Sequence, residues 1–176
     1  MIVRLERIQT AGHGYFDHIL KLYVDSFPKE ERREISSLPG ILHFSKMHFC
    51  AVLAGDELSG MVVYWKFDRY LYIEHLAVIP GKRRAGIGSQ VLNLLQKEGY
   101  PILLEVEIPF DEASKKRVGF YTRAGFSLLD VSYIQPPYRM GEQPLPMNLF
   151  SDKSDWTRDI LDECINEFHS QVYYNT

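Results

Sequence analysis

Three apolar runs in close succession constrain this chain most: His48 to Ala54, Leu58 to Phe67 and Tyr70 to Val78. The first two flank the turn residues Gly55-Asp56, and the third follows the short link Asp68-Arg69. Both connections are far too short for a crossover, so the runs are predicted to pair as an antiparallel meander. Pro80 and Gly81 end the third strand. Met1 to Ile8 is predicted to be an edge strand. Phe16, Ile19, Leu20, Tyr23 and Phe27 lie on one helical face, and Pro28 breaks the pattern. Lys29 to Ser37 reads as a short, charged, solvent-facing helix. Ile87, Val91, Leu92 and Leu95 mark a helix closing near Gly99, a natural glycine just past a helix end. Pro101 to Ile108 is an apolar strand interrupted by Glu105 and Glu107. Asp111 is a plausible N-cap for a helix ending at Gly125. Phe126 to Ile134 and Leu145 to Phe150 read as a last hairpin, joined by the Pro-rich loop Gln135 to Pro146. Trp156 to Phe168 carries the stripe of a final amphipathic helix, placed at about 154–171. This order of elements predicts an α+β fold with a mixed sheet, formed by a single domain over residues 1–176.

Composition excludes several classes. Hydrophobic residues at 45% and charged residues at 24% belong to a globular chain, not a disordered one. A formal net charge of −3 gives no nucleic-acid footprint. Cys50 and Cys164 form no CxxC, which argues against a zinc site or structural disulfide and for a reducing compartment. His13/His18 and His43/His48 lack a carboxylate motif, so no metal is expected. No secretory h-region or membrane-length apolar run is visible, so a cytoplasmic protein with no membrane partner is expected.

The segment Leu71 to Leu95 carries the most chemistry. A strand ends at Val78, a basic glycine-containing loop follows, and a helix starts near Gly88. The first amides of a helix lack intrahelical acceptors and sit at the positive end of the macrodipole, which suits a phosphate. Gly86 and Gly88 let the backbone approach a ligand closely, and Arg83 and Arg84 add charge and forked donors. A Walker loop would need Lys-Ser/Thr after Gly86, where Ile87-Gly88 stands. A dinucleotide fingerprint would need a third glycine where Val91 stands. A Gly-rich turn with a solvated basic run is the bland alternative.

Arg83-Arg84-Ala85-Gly86-Ile87-Gly88 resembles the (Gln/Arg)-x-x-Gly-x-(Gly/Ala) signature of the GNAT acyltransferases. The preceding Leu76-Ala77-Val78-x-Pro80 resembles the end of that family's fourth strand. Gly119 to Phe126, GFYTRAGF, looks like its FYxxxGF landmark. The resemblance covers about a third of the chain by motif. It implies a GNAT-like α/β sandwich whose mixed sheet is V-splayed between the fourth and fifth strands, with acetyl-coenzyme A (acetyl-CoA) in the split. It also implies that backbone groups at Leu76, Ala77 and Val78 meet the acetyl carbonyl and pantetheine. Arg83, Arg84, Ala85, Gly86, Ile87, Gly88 and Ser89 would meet the pyrophosphate. Lys115, Lys116 and Arg117 either approach the distal phosphate or form a solvated helix face.

Acetyl transfer from such a donor to a primary amine requires loss of an ammonium proton, donors for an oxyanion and an acid near the departing thiolate. Tyr121 matches the family's acid; otherwise it is a buried helix aromatic. Glu74 and Tyr72 match one family position for the base. Glu105, in Leu104-Glu105-Val106, matches another, and Glu107 is a weaker candidate. Strand alternation sends Tyr72 and Glu74 to one face and His75 to the other, where a structural histidine is expected. Tyr64, Trp65, Tyr133 and Tyr138 line either the acceptor pocket or the core. The acceptor is a small-molecule or peptide amine, and a homodimer remains open. A non-catalytic acyl-CoA-binding module is the competing class, and a nucleotide-dependent transferase is disfavoured by the absent Walker lysine.

Overall fold

A computed structural model describes residues 2–174. Its strands are β1 (Val3–Arg7), β2 (Met47–Ala54), β3 (Glu57–Lys66), β4 (Leu71–Val78), β5 (Ile102–Glu107), β6 (Ser127–Leu128), β7 (Tyr133–Gln135) and β8 (Leu145–Ser151). Its helices are α1 (Phe16–Ser26), α2 (Leu38–Ile41), α3 (Ile87–Gln96), α4 (Glu112–Arg123) and α5 (Arg158–Phe168), the last continued by a π turn, His169–Tyr174. The strands form one mixed sheet in the order β1-β2-β3-β4-β5-β8-β6, with β7 also on β8. The meander β2-β3-β4 is antiparallel throughout, as its two-residue links require, and β1 lies at the sheet edge as predicted. Met1 lies outside the described residues.

Each face of the sheet buries its own core. One core joins α1, α2, α5 and the π turn to Phe49, Met61, Trp65, Tyr72 and Leu149. The other joins α3 and α4 to Val52, Val62, Ile73, Leu104 and Val106. The α1 stripe buries Phe16, Ile19, Leu22 and Tyr23, with Leu20 only half-buried. Asp111 caps α4 in a reciprocal box with Ser114: its side chain accepts from the Ser114 amide at 2.7 Å, and Ser114 Oγ accepts from the Asp111 amide at 3.0 Å. Both cysteines are buried and free. Among the described residues no helix is long and apolar enough to cross a membrane.

Three expectations need correction. Lys29 to Ser37 is not one solvent-facing helix but two 3₁₀ turns, Lys29–Glu31 and Ile35–Ser37, with Arg33 buried between them. The first arm of the last hairpin is broken into β6 and β7, and β8 inserts between β5 and β6. His75 also lies on the same face as Glu74. The register jumps from Val63 opposite His75 to Tyr64 opposite Ile73, leaving Glu74 as the extra residue of a β-bulge. That extra residue resets the alternation, so Glu74 and His75 both point toward α1 and the 3₁₀ turns.

Gly60 opposes Val78 at the far end of the β3–β4 pair. A Cβ there would lie 2.5 Å from the Ala77 carbonyl oxygen and 3.3 Å from Val78 Cα, both backbone atoms that cannot turn aside. Gly60→Ala is expected to cost about 1–3 kcal/mol, the usual range for overpacking. The denaturation midpoint of the variant checks this, and an unchanged midpoint would mean that the two strands separate there freely.

Candidate active site

The parallel ladder between β4 and β5 is short. It pairs Leu71, Tyr72 and Ile73 with Ile102, Leu103 and Leu104, then stops. Beyond it, β4 stays paired to β3 as far as Val78, and β5 stays paired to β8 as far as Glu107. The inner edges of β4 and β5 therefore diverge, and the first residues past the split are Glu74 and Glu105. The Leu71 amide donates to Pro101 O, toward β5, whereas the Ile79 amide donates to Ser59 O, toward β3. Because amides alternate along a strand, the bulge turns the amides and carbonyls of Leu76 and Val78 into the split. Arg83 Nε reaches the Val78 carbonyl at 3.1 Å from the loop at its mouth.

That loop follows the 3₁₀ turn Pro80–Lys82 and leads into α3. Arg84 and Gly86 both have left-handed backbone, φ 68° and 76°. For Arg84 this is an uncommon conformation, of the strained kind that concentrates at binding sites. After the Arg83 amide, which donates to Pro80 O, the next amide to find a backbone acceptor is that of Gln90 in α3, bonded to Gly86 O. Among the described residues, the amides of Arg84, Ala85, Gly86, Ile87, Gly88 and Ser89 have no such partner. Arg83 to Gly86 and Ser89 are exposed. Exposed amides without backbone partners at a helix start are the kind of cradle that suits an anion. The two glycines of the loop differ in role. A Cβ on Gly86 would meet nothing, whereas one on Gly88 would lie 3.1 Å from the Phe120 ring, so Gly88 is where α3 packs on α4. Lys115, Lys116 and Arg117 are exposed on α4; Lys115 pairs with Glu112 and Arg117 with Glu107.

The two glutamates at the split have unlike surroundings. Glu74 is fully enclosed and receives Arg33 Nε at 2.9 Å, Trp65 Nε1 at 2.6 Å and the Tyr138 hydroxyl at 3.0 Å. Burial opposes its charge, but Arg33 and the indole N–H hold its carboxyl below the ordinary range. Arg33 also donates to Val172 O and lies 5.4 Å from the ring centres of both Trp65 and Tyr138. His75 donates from Nε2 to Glu31 O at 2.9 Å. Burial lowers its pKa, which keeps it neutral, a structural histidine as expected but on the other face.

Glu105 has no cation among the groups that shift it. Burial pushes its carboxyl up to about 7, against the hydroxyls of Tyr133, Tyr173 and Tyr72, while the negative charge of Glu74 adds to the rise. Tyr133 donates to Oε1 in a short hydrogen bond, and Tyr173 donates to Oε2 at 2.8 Å. Glu105 is thus balanced between its two protonation states at neutral pH. Tyr121 approaches from the opposite face, packed against Phe120 and Phe126. Its hydroxyl has no hydrogen-bond partner among the described residues, and burial raises its pKa to about 12.

Of the aromatic residues singled out in the sequence, Trp65 and Tyr138 meet Glu74 and Tyr133 meets Glu105, whereas Tyr64 is on the α3 face, stacked on His48. Sequence reasoning missed Arg33, His169 and Tyr173. Arg33 sits in a run of charges with nothing to mark it as buried, and the other two follow the predicted stripe of α5.

Residues 16–126, well over half of the chain, match the family model of the acetyltransferase (GNAT) family. The chain belongs to that family and is an acyltransferase by class. A solved Bacteroides thetaiotaomicron protein assigned to the same family is 34% identical, over 97% of this chain and 98% of that one, with a TM-score of 0.89. A Bacillus subtilis acetyltransferase solved in complex with CoA is 19% identical over 85% and 97% of the two chains, TM-score 0.56, a likeness of fold. The curated Bacillus subtilis protein YjbC, assigned as an acetyltransferase, is 36% identical over 69 residues, 38% of this chain and only 35% of that relative.

The Arg33–Glu74 pair is accessible to a stability test. Arg33→Met strands a buried carboxylate and is expected to cost about 3–5 kcal/mol at neutral pH. Glu74's folded pKa is depressed, so its stabilising contribution is present above its unfolded value and is lost as pH falls through the folded one. Without Arg33 the deficit should shrink on acidification, because the stranded carboxyl can then be neutral. Denaturation at pH 7 and pH 5 measures both, and a pH-independent deficit would assign the loss to packing alone.

Proposed function

We propose that this protein is an N-acetyltransferase that passes the acetyl group of acetyl-CoA directly to a primary amine, with both substrates held in one ternary complex. The observation that carries this reading is the run of unpartnered amides from Arg84 to Ser89 at the mouth of a split whose inner end holds Glu105. The residues present fit the donor molecule. The cradle amides with Arg83 and Arg84 would hold its pyrophosphate. The backbone groups of Leu76 and Val78, flanking Ala77, would hold the pantetheine arm and the acetyl carbonyl as a further strand would. Acetyl-CoA supplies an activated thioester and a thiol leaving group.

The chain's own residues then handle protons. An ammonium loses two protons on becoming an amide; one ends on the departing sulfur and one must leave. Tyr121, protonated at neutral pH, would donate toward the sulfur. Glu105, poised near neutrality and bonded only through oxygens that accept, would take the other. Glu74, the alternative base, is tied to Arg33 in a buried ion pair and is not free to take a proton. Glu105, which has no such cation, favours a cationic acceptor when ionised, a small-molecule or peptide amine.

Gly86→Glu sets bulk and negative charge against the pyrophosphate, in space where its Cβ meets nothing. It is expected to abolish acetyl-CoA binding by calorimetry, at a stability cost of roughly 1–2 kcal/mol from the left-handed backbone. A folded variant with wild-type affinity would remove the cradle from the site.

Thioester turnover over a panel of primary amines tests the reaction. Its rate should rise with pH through about 7, the limb of Glu105. Glu105→Gln should lower turnover near neutral pH by about 10²-fold or more, with coenzyme affinity retained. A protein that binds acetyl-CoA yet turns over no amine would instead be a non-catalytic acyl-CoA-binding module.

A further inference from the structure

Past Phe168 the helix widens into the π turn, and such turns recur at functional positions. His169 and Tyr173, at either end of this wide turn, have ring centres 5.8 Å apart and both face β5 and β7. Tyr173 donates to Glu105 Oε2, and His169 Nε2 lies 2.8 Å from the Tyr133 hydroxyl. Tyr72 OH lies 2.9 Å from Tyr173 OH. A carboxylate only accepts, so each tyrosine spends its single proton on Glu105. The direction of every other bond follows: Tyr133 Oη accepts from His169 Nε2–H, and Tyr173 Oη accepts from Tyr72.

We infer that the π turn tunes and aims the proposed base: His169 acting through Tyr133, and Tyr72 acting through Tyr173, are positioning residues that hold Glu105 ionised and oriented. The inference rests on the reading of Glu105 as the base. A donor that itself accepts a hydrogen bond donates more strongly, so two-bond chains favour the carboxylate more than isolated hydroxyls do. Burial pulls the other way, and the balance of the two sets where Glu105 titrates. The groups facing it are Tyr72 and Glu74 of β4, Tyr133 of β7, Tyr138 of the following loop, and Tyr173 of the π turn. Glu107, on its own strand, is neutralised by Arg117. Burial lowers His169 to about 4, so it is a neutral donor across the working range.

The test is the pH dependence of kcat for the full chain, with two amines of different ammonium pKa. The limb shared by both amines belongs to the enzyme. His169→Phe removes the donor to Tyr133 and is expected to move that limb about one unit higher. Turnover at pH 6 then falls about tenfold while the high-pH plateau stays within severalfold of wild type. His169→Gln, which keeps an N–H, should return the limb toward its wild-type position. Tyr133→Phe, which removes one oxygen, should move it at least as far and carries the test if His169→Phe does not fold. An unmoved limb in Tyr133→Phe, or in folded His169→Phe, overturns the inference, even if KM or the melting temperature changes. A wild-type limb in Glu105→Gln sinks the prior reading of Glu105 instead, so the two failures are distinct.

Discussion

The ladder of hydrogen bonds between β4 and β5 ends after Ile73 and Leu104, and the rest of the site depends on that stop. A parallel pair that continued would satisfy every inner-edge amide and carbonyl. Here those groups are left facing a wedge-shaped gap. The bulge at Glu74 decides which ones, because one extra residue reverses the phase of everything after it. Leu76 and Val78 turn inward for that reason, and Gly60 lets β3 follow β4 closely as far as the mouth of the gap.

Two carboxylates that start at equivalent places past the ladder meet different surroundings. Alternation from Tyr72 turns Glu74 under the segment that carries Arg33, so it gains a guanidinium, an indole N–H and a hydroxyl, and the bulge adds His75 to the same side. Glu105, on the regular strand opposite, gains hydroxyls only. A fixed cation favours the charged form strongly, while neutral donors only offset part of the burial cost. One carboxylate is thereby held charged, and the other is left near the middle of its titration. Groups whose environments push their pKa values apart in this way are the usual mark of divided roles.

The meander, the glycine-containing loop before α3, the capped α4 and the α5 stripe were legible in the sequence because each is local. Turn lengths, glycine positions and helical periodicity are properties of neighbouring residues. Tyr121, Glu74 and Glu105 could be singled out because they match positions in the GNAT motifs that the sequence resembles. The bulge was not legible, since nothing in Ile73-Glu74-His75-Leu76 distinguishes it from regular alternation. Arg33 was read as solvated because a run of Lys, Glu and Arg normally is. It is buried only because its partners lie 41 residues away at Glu74 and 139 away at Val172. The split of the last hairpin into β6 and β7 has the same origin: both strands are defined by their pairing with β8, a choice made across the sheet.

The position of the proposed acid explains why the sheet has to open. Along β5, Leu104 and Val106 face α3 and α4, while Glu105 faces the π turn. Tyr121 belongs to the first side and Glu105 to the second. In a continuous sheet two such groups are separated by a layer of bonded backbone and cannot act on one molecule. The divergence of β4 from β5 removes that layer at the height of Glu105. A substrate lying edge-on in the gap can then meet a hydroxyl from one face and a carboxylate from the other. On the proposed reading, the cradle, on the loop that continues β4 beyond the gap, would fix how far along the opening such a substrate lies. An acid and a base on opposite faces thus need no unusual side-chain geometry, only a sheet whose pairing ends one residue before each glutamate.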